Sequence, residues 1–223
     1  MDERIIKPVG YIYTDFTDKF GIPRQSGRVP SAKGRVVLSK EYGVESVRGL
    51  NGVSHIWLLF GFSAAEYTGA RTVRPPRLGG NVRVGVFASR SPNRPNGIGL
   101  SCVKLESVER ADGATILNVC GADLLSGTPV YDIKPYNPAD RIENAKCGFS
   151  DGFFEYRLKV EIPDRIKSVL PAELVAPLTE CLSDDPRPSY QGDGRVYGMI
   201  YGGYNVKFKA EGQTVFVLSA EKV

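Results

Sequence analysis

Seven short β-type runs succeed one another over the first two-thirds of the chain, and this succession constrains the fold more than any other feature. They are VGYIYTDF (9–16), GRVVLS (34–39), HIWLLFGFS (55–63), VRVGVFAS (82–89), LSCVKLESVE (100–109), ATILNVCGADL (114–124) and TPVYDIKPY (128–136). Each is rich in Val, Ile, Tyr or Phe and bounded by Gly, Pro, Asp or Asn, the punctuation of strands and turns. Only SKEYGVESVRGL (39–50) reads as a helix among them. Strands so short and so frequent predict an antiparallel barrel, closed or nearly so. Ala111-Asp112-Gly113 reads as the hairpin turn between two of them.

After Lys134-Pro135-Tyr136 a polar stretch bearing Pro, Asn and Gly runs to about Gly152, the expected boundary between a barrel domain (1–150) and a small α+β domain (151–223). In the second part FFEYRLKVEI (153–162) reads as a strand. DRIKSVLPAELVAPLTECLS (164–183) reads as helical segments interrupted at Pro171 and Pro177, and the tail as two strands, RVYGMIYGGYNVKFKA and QTVFVLSAE. Pro171 is expected to open the second helix, since a first-turn proline forfeits no hydrogen bond. The expected fold class is mostly β, an N-terminal antiparallel β-barrel with a small α+β C-terminal domain.

Several function classes fall away on the text itself. No G-x-G-x-x-G and no G-x-x-x-x-G-K-[ST] occurs, which removes the Rossmann and P-loop readings. The four cysteines (Cys102, Cys120, Cys147, Cys181) form no C-x-x-C pair and the single histidine is His55, so no metal site is expected and the thiols read as reduced and buried. His55 lies in an apolar run and reads as a hydrogen-bonded core residue. No apolar run approaches the roughly 20 residues of a membrane helix, and the start, MDERIIKPVG, lacks the apolar core of a secretory signal. A cytoplasmic location is the expectation.

Charge is distributed unevenly. Residues 1–110 carry 17 Lys/Arg against 9 Asp/Glu, whereas residues 111–223 carry 12 against 16. From Arg71 to Arg94 there are six arginines and no acid, a density that suits a polyanionic partner if the side chains share a face.

Ser89-Arg90-Ser91-Pro92-Asn93-Arg94-Pro95-Asn96-Gly97-Ile98-Gly99-Leu100-Ser101 is the most unusual segment. Two prolines stiffen it and Asn96-Gly97 admits positive φ, so its arginines and hydroxyls would stand on a rigid loop directly after a strand. Phe20-Gly21-Ile22-Pro23-Arg24-Gln25 likewise presents a guanidinium and an amide on a Gly/Pro loop. Asp123-Leu124-Leu125-Ser126-Gly127-Thr128-Pro129 is a turn whose backbone groups suit a purine edge, and Asp184-Asp185-Pro186-Arg187-Pro188-Ser189-Tyr190 packs two carboxylates, an arginine and a phenol into a proline-stiffened stretch.

At FGIPRQ, VRPPRLGG, FASRSPNRPNGIGLS, DLLSGTPVYDIKPY and DPRPSY the chain resembles the TsaA-like (TrmO-type) tRNA methyltransferases, from about residue 5 to residue 220. The resemblance implies an S-adenosylmethionine-dependent enzyme that methylates the exocyclic N6 of threonylcarbamoyladenosine beside the anticodon of tRNA. It further implies a cofactor-binding barrel and a homodimer whose clefts involve both subunits. The cofactor residues it implies are Pro23, Arg24, Gln25, Ser63, Arg90, Leu100, Asp123, Leu124, Leu125 and Ser126. Two positions depart from the family pattern: Ser126 stands where the motif has Asp, and Ser63 where it has His.

The accepting nitrogen is weakly nucleophilic, because its lone pair is delocalised into the ring and the carbamoyl group, so proton removal should assist the transfer. Asp185 and Tyr190, then Asp132 or Lys134, are the candidates. Arg187 suits the threonyl carboxylate as a fork. Arg71, Arg74, Arg77, Arg83 and Arg94 are the expected contacts to the tRNA. The rival readings are an RNA-binding barrel without chemistry and a methyltransferase acting on a small molecule.

Overall fold

The computed structural model describes residues 3–188 and 191–223. The first part comprises β1 (Gly10–Thr14), β2 (Lys33–Leu38), β3 (His55–Gly61), a two-stranded ribbon of β4 (Thr72–Val73) and β5 (Val84–Gly85), then β6 (Ile98–Ala111), β7 (Ala114–Cys120) and β8 (Thr128–Pro135). Six of these close an antiparallel barrel in the order β1-β2-β7-β6-β3-β8. Burial alternates along the strands, as a half-buried pleat demands, and Ile12, Val36, Ile56, Leu58, Leu117 and Val130 fill the interior. Gly99 is required where β6 passes beneath the Phe60 ring, because any Cβ there would enter the ring. Asp112 (φ 51°) and Gly113 (φ 77°) turn β6 into β7, and two successive positive φ values match the twist of a tight hairpin.

The second part is a mixed sheet with two helices on it. Its elements are β9 (Lys159–Glu161), α1 (Asp164–Lys167), α2 (Ala172–Ser183), β10 (Val196–Tyr201), β11 (Tyr204–Glu211) and β12 (Thr214–Lys222). Strand order is β10-β11-β12-β9, with β9 parallel to β12. Helix α2 buries Leu174, Leu178, Cys181 and Leu182 against the sheet. Pro171 caps it, as expected, but Pro177 does not interrupt it. Pro177 forfeits one hydrogen bond near the helix start and is itself buried, so packing carries the helix through.

Other expectations are corrected. Residues 39–50 form two 3-10 turns, Val44–Val47 and Leu50–Gly52, parted at Gly49 (φ 92°). Within 82–89 only Val84–Gly85 is strand, and within 153–162 only Lys159–Glu161. The first of the two expected tail strands is a hairpin, because Gly202 and Gly203 take φ values of 54° and 80° and reverse the chain. His55 is exposed on the outer wall and shares a 2.9 Å hydrogen bond with the Ser54 hydroxyl; it is no core residue. Cys120 and Cys181 are buried, while Cys147 is exposed.

The β1–β2 connection crosses between the two parts. Its residues Phe16, Val29 and Ala32 belong to the apolar core of the second sheet, and Phe16 lies 5.2 Å from the Tyr201 ring. Phe20 stacks on Tyr197 and Phe208, and Gly21 (φ 96°) passes over Met199 with no room for a side chain. The Pro23-Arg24-Gln25 loop is thus anchored from both sides. No described helix is long and apolar enough to cross a membrane.

Candidate functional site

All three motif loops of the barrel leave one rim. At this rim β1, β3 and β7 end and β2, β6 and β8 begin, so the connections 15–32, 62–97 and 121–127 emerge side by side. Arg90, on the proline-stiffened loop, donates through Nη1 to the Gln25 amide oxygen at 2.8 Å. The Ser101 hydroxyl, at the start of β6, donates to Asp123 Oδ1 at 2.5 Å, and the Cys102 amide donates to the Ser26 hydroxyl at 3.2 Å. Residues from three separate loops therefore meet in one cluster, Gln25–Arg90 beside Ser101–Asp123.

Burial pushes the Asp123 carboxyl from its ordinary 3.8 up to about 6, against the opposing pull of the Ser101 hydroxyl and the Arg90 charge. Leu100 lies beside Ser101 on the outer face, 45% exposed. The 121–127 turn is latched to β1: the Thr14 hydroxyl donates to the Leu124 carbonyl at 2.9 Å, and the Ser126 amide to the Phe16 carbonyl at 2.8 Å. The Ser126 hydroxyl accepts from the Thr14 amide at 3.3 Å. Leu124 is buried inside the barrel, so its side chain contributes to the core, and the Leu125 carbonyl accepts from Thr128 Oγ1 at 2.7 Å. Ser63 is exposed just beyond β3, in a segment tied to the stiff loop by the Phe62 amide and Gly97 carbonyl at 2.8 Å.

Not every arginine of the run is available to a partner. Arg94 Nη2 donates to the Val86 and Ser89 carbonyls, both at 2.8 Å, and braces its own loop. Arg77 Nη2 donates to the Asp184 carbonyl at 2.7 Å, and its guanidinium lies 4.9 Å from the centre of the Tyr156 ring. Arg71 and Arg74 are exposed and make no ion pair among the described residues; Arg83 donates to Thr72 Oγ1 at 3.1 Å.

Arg77 leads to the junction of the two parts, where the sequence offered Asp184 no separate role. Asp184 is buried and accepts from Arg28 (2.6 Å) and Arg157, with Arg77 at 3.6 Å from the same oxygen. Asp185, in the left-handed region at φ 52°, holds Arg187 by two parallel hydrogen bonds of 2.8 and 3.1 Å and accepts from the Tyr156 hydroxyl at 3.0 Å. Asp185 and Arg187 are both buried and engaged with each other. Tyr190 lies outside the described residues. Lys134 pairs with Asp132 at 2.8 Å on the exposed wall of β8, six residues along the strand from the rim, roughly 20 Å within one chain.

Arg24 and Gln25 are neighbours that serve different surroundings. Gln25 faces Arg90, whereas Arg24 Nη2 donates to the Arg187 carbonyl at 2.9 Å and lines a cleft of about 250 Å³ with Arg77, Phe153, Tyr156, Gln191 and Asp193. Pro23, between the sheets, is buried.

Comparison with known proteins bears on this arrangement. The model of the tRNA-methyltransferase O N-terminal domain matches residues 11–140, and that of the TrmO C-terminal domain matches residues 155–223. The Escherichia coli K12 protein named tRNA (adenine(37)-N6)-methyltransferase is 39% identical over 224 residues, covering 94% of this chain and 95% of that one. A Pseudomonas aeruginosa relative named for dependence on S-adenosylmethionine is 45% identical over 209 residues, 87% of each chain. The crystal structure of TrmO from P. aeruginosa aligns with a TM-score of 0.81 at 36% identity, covering 100% of this chain and 99% of that one. Matched in both of its parts by the domain models of one family, and along its whole length by a solved member, the chain belongs to the TrmO family.

Proposed function

We propose that this protein is an S-adenosylmethionine-dependent tRNA (adenine37-N6)-methyltransferase whose acceptor is threonylcarbamoyladenosine. The observation that carries the reading is the convergence of three family motifs at one barrel rim, in the Gln25–Arg90 and Ser101–Asp123 pairs. Their donor set fits the cofactor. A guanidinium suits its carboxylate, a carboxylate suits its ammonium group or ribose hydroxyls, and the exposed Leu100 offers an apolar wall. The cofactor supplies an activated methyl group on a cationic sulfur. Gln25, Arg90, Asp123, Leu100 and the backbone of Leu124, Leu125 and Ser126 bind and orient it, with Pro23 fixing the loop and Ser63 at the rim. Methylation of N6 would require a residue of this chain to take up the N6 proton.

Proton removal is assigned to Tyr190 on the sequence argument alone. Asp185 is not free to take up that proton, because both of its carboxylate oxygens accept from Arg187 and Oδ2 also accepts from the Tyr156 hydroxyl. Lys134 reaches the site only from a second copy, and the proposed assembly is a homodimer. Arg71 and Arg74 attract the tRNA backbone, and the barrel (1–150) and the small domain (151–223) are the two functional units. A tRNA substrate implies work in the cytoplasm.

The test is methyl transfer from S-adenosylmethionine to tRNA read by nucleoside mass spectrometry, with calorimetry of cofactor binding alongside. Methylated threonylcarbamoyladenosine is the expected product. Binding of tRNA without binding of the cofactor would make the protein an RNA-binding module, and methylation confined to metabolite extracts a small-molecule enzyme.

A further inference from the structure

We infer that the cleft at the junction of the barrel and the C-terminal sheet is the carboxylate pocket of the enzyme, and that Arg24, not Arg187, receives the threonyl carboxylate of the modified base. The inference rests on the function proposed above. Arg187 has the chemistry for such a contact, but its Nε and Nη2 are spent on Asp185, and its Nη1 lies 3.6 Å from Asp193. Arg77 is committed to Asp184 and to the Tyr156 face. Arg24 differs from both. A guanidinium has five N–H donors, and the described residues give Arg24 one acceptor, the Arg187 carbonyl, with no carboxylate partner.

The electrostatics favour an anion there. Among the described residues the ion pairs of the junction set Arg28, Arg77, Arg157 and Arg187 against Asp184, Asp185 and Asp193, one more cation than anion, and Arg24, in none of these pairs, adds another. Burial, followed by the nearby Arg77 charge, lowers the Arg24 pKa against the opposing pull of Asp184 and Asp185, so part of the cost of holding its cation is left for a bound anion to offset. The position also suits the chemistry. Arg24 and Gln25 are consecutive residues of one loop, the first lining the cleft and the second meeting Arg90 in the cofactor cluster, so a single loop serves both places. A substituent hanging from the methylated nitrogen would enter the cleft along this loop, with Tyr156 and Phe153 in its lining.

The shared chemistry is that of an oxyanion, and a tRNA phosphate is the alternative source. Arg24→Gln and the milder Arg24→Lys should be compared with the parent on two otherwise identical tRNAs, one with threonylcarbamoyladenosine and one with plain adenosine at position 37, with thermal unfolding monitored as the control for folding. A charge-assisted pair of this kind is worth about ten- to a hundredfold in binding. The expected result is that Arg24→Gln loses that factor on the modified tRNA only, with Arg24→Lys between. An equal loss on both tRNAs, with a salt slope reduced by about one, would assign Arg24 to a phosphate and overturn the inference. Weakened cofactor binding with the preference for modified tRNA intact would assign it to the cofactor and also overturn it. Failure of the parent to methylate either tRNA would instead refute the proposed function.

Discussion

Replacing Asp123 by Asn tests the electrostatics of the rim cluster directly. Asparagine keeps an oxygen that can accept from the Ser101 hydroxyl and removes the buried charge. The carboxyl titrates at about 6 in the folded protein against an ordinary 3.8, because burial outweighs the Ser101 hydrogen bond and the Arg90 charge. A raised folded-state pKa means that the folded protein holds the proton more tightly than the unfolded chain. The associated stability is therefore complete below about pH 3.8 and is lost as pH rises through about 6. At about 1.4 kcal/mol for each pH unit, the full loss is about 3 kcal/mol by pH 7. Roughly 1 kcal/mol of this is already lost at pH 4.5, so about 2 kcal/mol remains between pH 4.5 and pH 7. Urea unfolding of both proteins at these two pH values measures it. Asp123→Asn should be more stable than the parent at pH 7, and its advantage should shrink by about 2 kcal/mol at pH 4.5. An advantage independent of pH, or a variant less stable at pH 7, would refute the reasoning, because desolvation would then not outweigh the Ser101 hydroxyl and the Arg90 charge at Asp123. The same substitution should weaken cofactor binding if the charge is kept for that purpose, so stability and affinity should move in opposite directions.

Arg90→Ala should weaken cofactor binding in calorimetry by about ten- to a hundredfold, the worth of one charge-assisted pair, and leave tRNA binding nearly intact; unchanged cofactor affinity would remove Arg90 from the site. Exchanging both Arg71 and Arg74 for Gln should lower the salt slope of tRNA binding by up to about two, with an unchanged slope returning both to an ordinary solvated surface. Arg77→Met should instead lower unfolding stability by about 1.5–3 kcal/mol, because its partners are Asp184 and Tyr156; a normal stability with a reduced salt slope would contradict this. Phe16→Ala should cost about 3–5 kcal/mol and destabilise the C-terminal sheet, read by hydrogen exchange in β10 and β11, since Phe16 packs on Tyr201. Protection lost only in the barrel would be inconsistent with that packing.

The sequence alone determined the parts of this protein that depend on near neighbours. Val, Ile, Tyr and Phe between turn residues along 34–39, 55–63 and 100–109 foretold barrel strands, Ala111-Asp112-Gly113 foretold the hairpin, and the prolines around Arg94 foretold a stiff loop, because strand preference and turn chemistry act over a few residues. The family motifs were equally legible, being contiguous runs. Where packing overrode local pattern the reading failed. Pro177 sits inside α2, His55 faces out from an apolar-looking strand, and residues 39–50 break at Gly49. Only the tertiary structure decided which charges are free. Arg77 meets Asp184 across 107 residues and Arg28 meets it across 156, so one member of the arginine run and one arginine of the β1–β2 connection became internal struts with no local sign of it. It also turned the adjacent Arg24 and Gln25 toward different neighbours and sent Phe16 into the second core. Ion-pair choice and core membership depend on which distant segments come within a few ångströms, and periodicity along the chain carries no record of that distance.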